Sequence, residues 1–205
     1  MKPTSPKTPG SMVDHARPSR TLRIIGGAWR GRKIRFPPVE AIRPTPDRVR
    51  ETVFNWLQQD VAGAHCLDLY AGSGALGLEA LSRGAAHVVF VDMEPAVTRH
   101  LSQALEELGC DRGQVICSDA ARYLEGAPEP FDIVFVDPPY ADRALSGACR
   151  RLDERGWLRR GGLAYLEDPA SAGAPGLPTG WTLLRSKRAG EVGYHLARRD
   201  PSPGG

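Results

Sequence analysis

The chain has 205 residues, 41% hydrophobic and 25% charged, with a formal net charge of +3. That is the composition of an ordinary globular protein with one sizeable core, and it excludes collagenous, low-complexity and disulfide-scaffold classes. No apolar run approaches the roughly 18 residues of a membrane span, and Met1 to Arg20 hold no apolar segment suited to secretion, so a cytoplasmic location is expected.

Residues 1–20, rich in Pro, Ser and Lys, read as a disordered basic tail. Residues 1–50 carry twelve Lys or Arg against Asp14, Glu40 and Asp47, a balance of +9 that leaves −6 for the remainder. A basic arm on an acidic body suits an enzyme that separates phosphate contact from chemistry. The alternation of basic and apolar residues from Leu22 to Phe36, around glycine-bearing turns, predicts a short hairpin with one packed and one cationic face. Arg23, Arg30, Arg32 and Lys33 are its candidate RNA contacts. Trp29, among them, suits either stacking on a base or anchoring the hairpin to the body. Pro37-Pro38 breaks the pattern, and Arg43-Pro44-Thr45-Pro46-Asp47 leads into an amphipathic helix through Val49, Val53, Phe54, Trp56 and Leu57, with Thr45 as its expected N-cap. Arg43, Arg48, Arg50 and Glu51 are expected on the side facing substrate or cofactor. Residues 21–60 are read as an RNA-binding extension, 61–199 as the catalytic domain and 200–205 as a tail.

The apolar strand ending at Tyr70 runs into Ala71-Gly72-Ser73-Gly74-Ala75-Leu76-Gly77, a glycine turn that opens a helix. Gly72 and Gly74 permit close backbone approach, and the first N–H groups of the helix face any ligand there. Gly72, Gly74 and Gly77 satisfy G-x-G-x-x-G, with Asp92 at the end of the strand Val88-Val89-Phe90-Val91 as a ribose-binding carboxylate. The loop suits a dinucleotide as well as S-adenosylmethionine. Asp68, just before it, favours the second, because a carboxylate attracts an ammonium group and repels a pyrophosphate. Candidate cofactor contacts are Asp68, Tyr70, Ala71, Gly72, Ser73, Gly74, Asp92, Met93, Asp119 and Ala120. Asp119, after the strand Gln114 to Cys117, suits either the adenine amino group or the N-cap of a short helix.

Phe131 to Val136 is a buried strand pattern, followed at once by Asp137-Pro138-Pro139-Tyr140. An exocyclic nucleobase amine is a poor nucleophile, since its lone pair is delocalised into the ring, and it must be gripped by its N–H groups. Asp137 and the Pro138 carbonyl are acceptors for that purpose, the two prolines fix the turn, and Tyr140 offers a face for the base. A hydride-transfer site would need a proton donor at this strand tip.

Strands and helices alternate from Ala64: strand to 70, helix from 73, strand 87–91, helix 95–108, strand 114–117, a short helix, strand 131–136 and helix 142–154. A fifth strand is read at 162–167, and strands 181–184 and 192–196 leave no room for a helix between them, so they are expected to form a hairpin. The fold expected is α/β and Rossmann-like, with a seven-stranded, mostly parallel sheet that ends in an antiparallel hairpin. Such a sheet brings Asp68, Asp92, Asp119 and Asp137 to one edge. Cys66, Cys110, Cys117 and Cys149 lack C-x-x-C spacing and the five histidines lack ligand spacing, so neither a disulfide nor a metal is expected. A monomer is expected.

With Arg23-Ile24-Ile25-Gly26-Gly27, Trp29-Arg30-Gly31-Arg32, Arg43-Pro44-Thr45, Asp47 to Thr52, Phe54-Asn55-Trp56, the loop Asp68 to Gly77 and Asp137 to Tyr140, the chain resembles the RsmD family of ribosomal RNA guanine-N2 methyltransferases. The resemblance spans roughly Leu22 to Arg198. Its N-terminal block is the specific part, since the glycine loop and D-P-P-Y are shared with adenine-N6 and glutamine methyltransferases. It implies methyl transfer from S-adenosylmethionine to the N2 amine of a guanine in 16S-type ribosomal RNA, within an assembling or assembled small subunit, with S-adenosylhomocysteine as product. Asp92 stands where glutamate is more usual in the family, and Tyr70 where phenylalanine is. A methyltransferase of another exocyclic amine, a non-catalytic assembly factor and an NAD-dependent oxidoreductase are the alternative readings.

Overall fold

The computed structural model describes residues 20–36, 45–139 and 144–201. Strands β1 (Arg20–Arg23) and β2 (Lys33–Phe36) form the N-terminal antiparallel hairpin, with Leu22 opposite Ile34. The period of two sends Leu22, Ile34 and Phe36 inward and leaves Lys33 and Arg35 outside. Helix α1 (Asp47–Trp56) follows, burying Val49, Arg50, Val53 and Phe54 along one stripe.

The body is β3 (His65–Asp68), α2 (Ala75–Ser82), β4 (His87–Asp92), α3 (Pro95–Glu107), β5 (Gly113–Cys117), α4 (Ala120–Leu124), β6 (Phe131–Val136), α5 (Leu145–Glu154), β7 (Leu158–Pro169), β8 (Trp181–Ala189) and β9 (Val192–Arg199). These make a seven-stranded sheet in the order β5-β4-β3-β6-β7-β9-β8. Neighbours are parallel from β5 to β7, whereas β9 is antiparallel to both β7 and β8. The Rossmann-like sheet with its terminal hairpin is therefore present, and the last strand lies inside the edge. The fifth strand of the body is longer than its apolar run, because pairing with β9 carries it from Leu163 through Pro169. The strand expected at 181–184 likewise runs on to Ala189 along β9.

Alternation along the strands separates two cores. Cys66, Val88, Phe90, Ile133, Phe135, Leu163, Tyr165, Tyr194 and Leu196 face one layer, with α1, α2, α3 and the apolar side of the hairpin. Leu67, Val89, Val91, Val134, Val136, Ala164, Leu166 and Ala197 face the other, with α4 and α5.

The hairpin is fastened to the body through α2. Glu79, fully buried, accepts the N–H groups of Ile25 (2.9 Å) and Gly26 (2.8 Å) and pairs with Arg83 (2.7 Å) and Arg50 (3.6 Å). Ser82 donates to the Gly26 carbonyl and accepts the Trp29 N–H. A Cβ on Gly27, at φ +76°, would stand 1.9 Å from the Ser82 carbonyl oxygen, so only glycine lets the turn lie on the end of α2. Arg50 is 1% exposed and donates to the Thr45 and Arg23 carbonyls and to Asp47. The expectation that it faces substrate is thus corrected: it braces the hairpin, α1 and α2 together.

Candidate active site and RNA-facing surface

The strand order reverses between β3 and β6, and the crevice outside their carboxyl ends is where a sheet of this type holds ligands. Asp68, Asp92 and Asp137 each continue a row of side chains facing the α2 layer, namely Cys66, then Val88 and Phe90, then Ile133 and Phe135. The same two-residue period therefore brings all three to one side of the sheet at its carboxyl edge.

The glycine loop is built as its spacing predicts. Gly72 (φ +50°) and Gly74 (φ +75°) adopt left-handed conformations, and no side chain caps the start of α2. A Cβ on Gly77 would stand 2.2 Å from the Phe90 ring, so this glycine sets the close approach of α2 to the sheet. Asp68, 3% exposed, accepts the Gly77 N–H at 2.9 Å. Burial pushes its carboxyl up to about 7 despite that hydrogen bond, and Asp92 adds to the rise. Asp92 accepts the N–H groups of Gly72 (2.9 Å) and Glu94 (2.9 Å), which fixes its carboxylate beside the loop. Met93 is 71% exposed next to it. Ala71 and Ser73 are buried and Tyr70 is half-buried. Of the two roles weighed for Asp119, the structure contains the cap: its side chain accepts the Arg122 N–H at 2.9 Å, with Ala120 opening α4.

At the tip of β6, Asp137 is half-buried, Pro138 buried and Pro139 exposed. Burial, and then the charges of Glu167 and Asp68, push the Asp137 carboxyl well above the usual carboxylate range. Tyr140 and Arg43 lie outside the described residues.

Sequence reasoning missed Glu167, 4% exposed at the end of the inward-facing row Leu163–Tyr165 on β7. That row was itself the signal. Thr45 was expected to cap α1, but the N-cap position falls at Pro46 with no side-chain cap, and the buried Thr45 donates to Glu167 instead.

On the cationic side, Arg23, Arg30, Arg32, Lys33 and Arg48 are exposed, and Arg32 also reaches the Glu107 carbonyl of α3. Trp29 is half-buried against the core, the anchoring arrangement of the two weighed for it. Lys33 and Arg35 line an open groove of about 570 Å³ against Arg99, His100, Gln103 and Glu107 of α3. Arg99 was not singled out from the sequence, because an arginine on an exposed helix face has no distinguishing pattern.

Residues 22–198 match the protein family described as conserved hypothetical protein 95. The chain belongs to this family, the RsmD family. It is 46% identical over 182 residues to the ribosomal RNA small subunit methyltransferase D of Escherichia coli K12, covering 89% of this chain and 92% of that one. The protein of the same name from Haemophilus influenzae is 41% identical, covering 85% and 92%. Among solved structures, yhhF of Escherichia coli, described as a methyltransferase, superposes with a TM-score of 0.83 at 44% identity over 88% of this chain and 99% of that one. An RNA methyltransferase of Salinibacter ruber, solved with S-adenosyl-L-homocysteine, shares the fold at 18% identity and a TM-score of 0.59, covering 80% and 97%.

The RsmD-family site fits S-adenosylmethionine on its own chemistry. Asp68 is a buried carboxylate with no cation paired to it among the described residues, the uncapped end of α2 suits a carboxylate, and Asp92 is held at the end of β4 beside the loop, where it can accept from hydroxyl groups.

Proposed function

We propose that this RsmD-family chain transfers the methyl group of S-adenosylmethionine to the exocyclic N2 amine of a guanine in small-subunit ribosomal RNA. S-adenosylmethionine-dependent methylation of ribosomal RNA is the broader statement, supported by the relatives' names and the fold. The placement of Asp137 and Pro138 at the strand tip beside the glycine loop supports an exocyclic amine as acceptor, and the N-terminal block Arg23 to Arg32, the specific part of the family resemblance, supports the choice of guanine N2. Asp137 and the Pro138 carbonyl accept from the amine and aim its lone pair, Tyr140 stacks on the flipped-out base, and the exposed arginines and Lys33 of the hairpin hold phosphates. The cofactor supplies an electrophilic methyl on a sulfonium. Asp68 and the Gly72–Gly74 backbone hold its methionine end, and Tyr70, Ala71 and Ser73 shape the floor. Asp92, Met93, Asp119 and Ala120 bound the adenosine. Most of the acceleration comes from positioning.

The test is incubation of the protein with labelled S-adenosylmethionine and small subunits lacking the modification, followed by digestion and identification of the labelled nucleoside. N2-methylguanosine is expected. Label in N6-methyladenosine, or only in protein, overturns the assignment. No incorporation alongside tight subunit binding would favour an assembly factor, and tighter binding of NADH than of S-adenosylhomocysteine an oxidoreductase.

Two further results are expected. Because the Asp68 carboxyl is held near 7 and an ammonium ligand prefers its ionised form, S-adenosylhomocysteine should bind about tenfold more tightly at pH 8 than at pH 6. Proton release should accompany binding at pH 6. Calorimetry in buffers of different ionisation enthalpy measures both, and a pH-independent wild-type affinity would refute the contact. Charge reversal at Arg30, Arg32 and Lys33 should weaken subunit binding and flatten its salt dependence, each lost phosphate contact reducing the slope by about 0.9 for duplex or 0.7 for single strands. Cofactor affinity should not change. Normal methylation by the triple variant at physiological salt would make the hairpin purely structural.

A further inference from the structure

Glu167 has no part in the mechanism above, yet it is buried and hydrogen-bonded. It follows the buried run Leu163–Leu166 of β7 and lies on the α1 side of the sheet. The Tyr165 hydroxyl donates to its Oε1 at 2.5 Å, and the Thr45 side chain donates from the segment leading into α1. Val136 pairs with Leu166 across parallel strands, so Asp137 and Glu167 are the next residues on each. Both continue inward-facing rows, Ile133–Phe135 and Leu163–Tyr165, and so stand on one side of the sheet. Among the described residues neither carboxylate has a salt-bridge partner.

We propose that Glu167 is a positioning residue for the transfer, held by Tyr165 and Thr45 so that its carboxylate stands against Asp137 and makes Asp137 the acceptor of the amine proton. This rests on the methyl-transfer reading. In the step, the N2 lone pair forms the C–N bond while the S–CH₃ bond breaks with its electron pair passing to sulfur. The N2 centre, now cationic, gives one proton to the Asp137 carboxylate, which loses it to water before the next turnover. Two neighbouring carboxylates, one buried and one half-buried, do not ionise independently. Burial raises Glu167, but its two hydroxyl donors favour the charged form, whereas Asp137 is raised by burial and then by Glu167 and Asp68. Of the two, Asp137 is therefore the carboxylate that takes up the amine's proton, while Glu167 keeps its charge. The groups around the pair are Tyr165 on β7, Asp68 on β3, Tyr194 on β9 and the Thr45 hydroxyl. Tyr165 is itself pushed up by burial and by Glu167, so it remains a neutral donor. Through Thr45, the N-terminal segment completes the catalytic strand tip as well as the RNA-facing surface.

Glu167→Gln keeps the size of the side chain and removes its charge. In cofactor-free protein, the ¹³C carboxyl resonance of Asp137, assigned by its loss in Asp137→Asn, should titrate about one to two pH units lower in Glu167→Gln than in wild type. The acid limb of the kcat profile for methyl incorporation should move down by the same amount, with S-adenosylhomocysteine affinity unchanged. A merely structural Glu167 would lower the rate at every pH and move neither midpoint, and that result overturns the proposal. If Glu167→Gln does not fold, Tyr165→Phe decides: removing one donor from Glu167 should shift the Asp137 titration in the same direction by less, and no shift overturns the proposal equally. Failure of wild-type protein to make N2-methylguanosine would refute the reaction assigned above, while the carboxyl titration tests the Asp137–Glu167 pair by itself.

Discussion

Asp137→Ala is expected to leave almost no methyl transfer while cofactor binding persists. In the reaction proposed above, the side chain at the tip of β6 is the charged acceptor for the target amine and faces a cation that develops only as the methyl moves. Removing a preorganised contact of that kind costs about 3 kcal/mol or more of transition-state stabilisation, a fall of at least a hundredfold in kcat. Asp137→Asn keeps an acceptor oxygen and loses the charge, so it should retain measurable activity between the two, with the proton leaving directly to water. Because asparagine does not titrate, that residual activity should also lack the acid limb of the wild-type profile. Single-turnover measurements on small subunits at several pH values, with S-adenosylhomocysteine affinity as the control, check all of this. Wild-type rates from Asp137→Ala would remove the chemical centre of the mechanism.

Glu79→Ala should be the most damaging change far from the chemistry. Glu79 is completely buried and serves the Ile25 and Gly26 N–H groups, Arg83 and Arg50 at once. Without it Arg50, 1% exposed, keeps among the described residues only Asp47 and two carbonyls, and Nη1, which has no hydrogen bond there even now, loses the Glu79 countercharge. Breaking a buried ion pair from one side costs about 3–5 kcal/mol, because the remaining charge stays desolvated. In a chain of this size that corresponds to a melting temperature lower by on the order of 10 °C. The hairpin should be the part released first, so subunit binding should weaken more than cofactor binding. Glu79→Gln, which keeps acceptors for the two backbone N–H groups, should lose less. A melting temperature for Glu79→Ala within about 2 °C of wild type, below 1 kcal/mol, would mean that the network is solvated in solution and does not brace the extension.

The two sites differ in how far a sequence reader can reach them. The sequence by itself determined the alternation of strands and helices, the left-handed turns at Gly72 and Gly74, and the arrival of Asp68, Asp92 and Asp137 at one edge. Each depends on chemistry within a few residues: a period of two in a strand, a backbone angle that glycine tolerates, a proline that ends a strand. The tertiary structure alone decided that β9 lies between β7 and β8, that Arg50 and Glu79 are inside the protein, and that Thr45 serves Glu167 in place of the helix it precedes. A charged residue in an amphipathic helix looks the same in sequence whether it meets water or a countercharge brought from another segment. Which of these it meets is set by long-range packing, because burying a charge is tolerable only where a partner of opposite sign or a hydrogen-bond donor arrives with it.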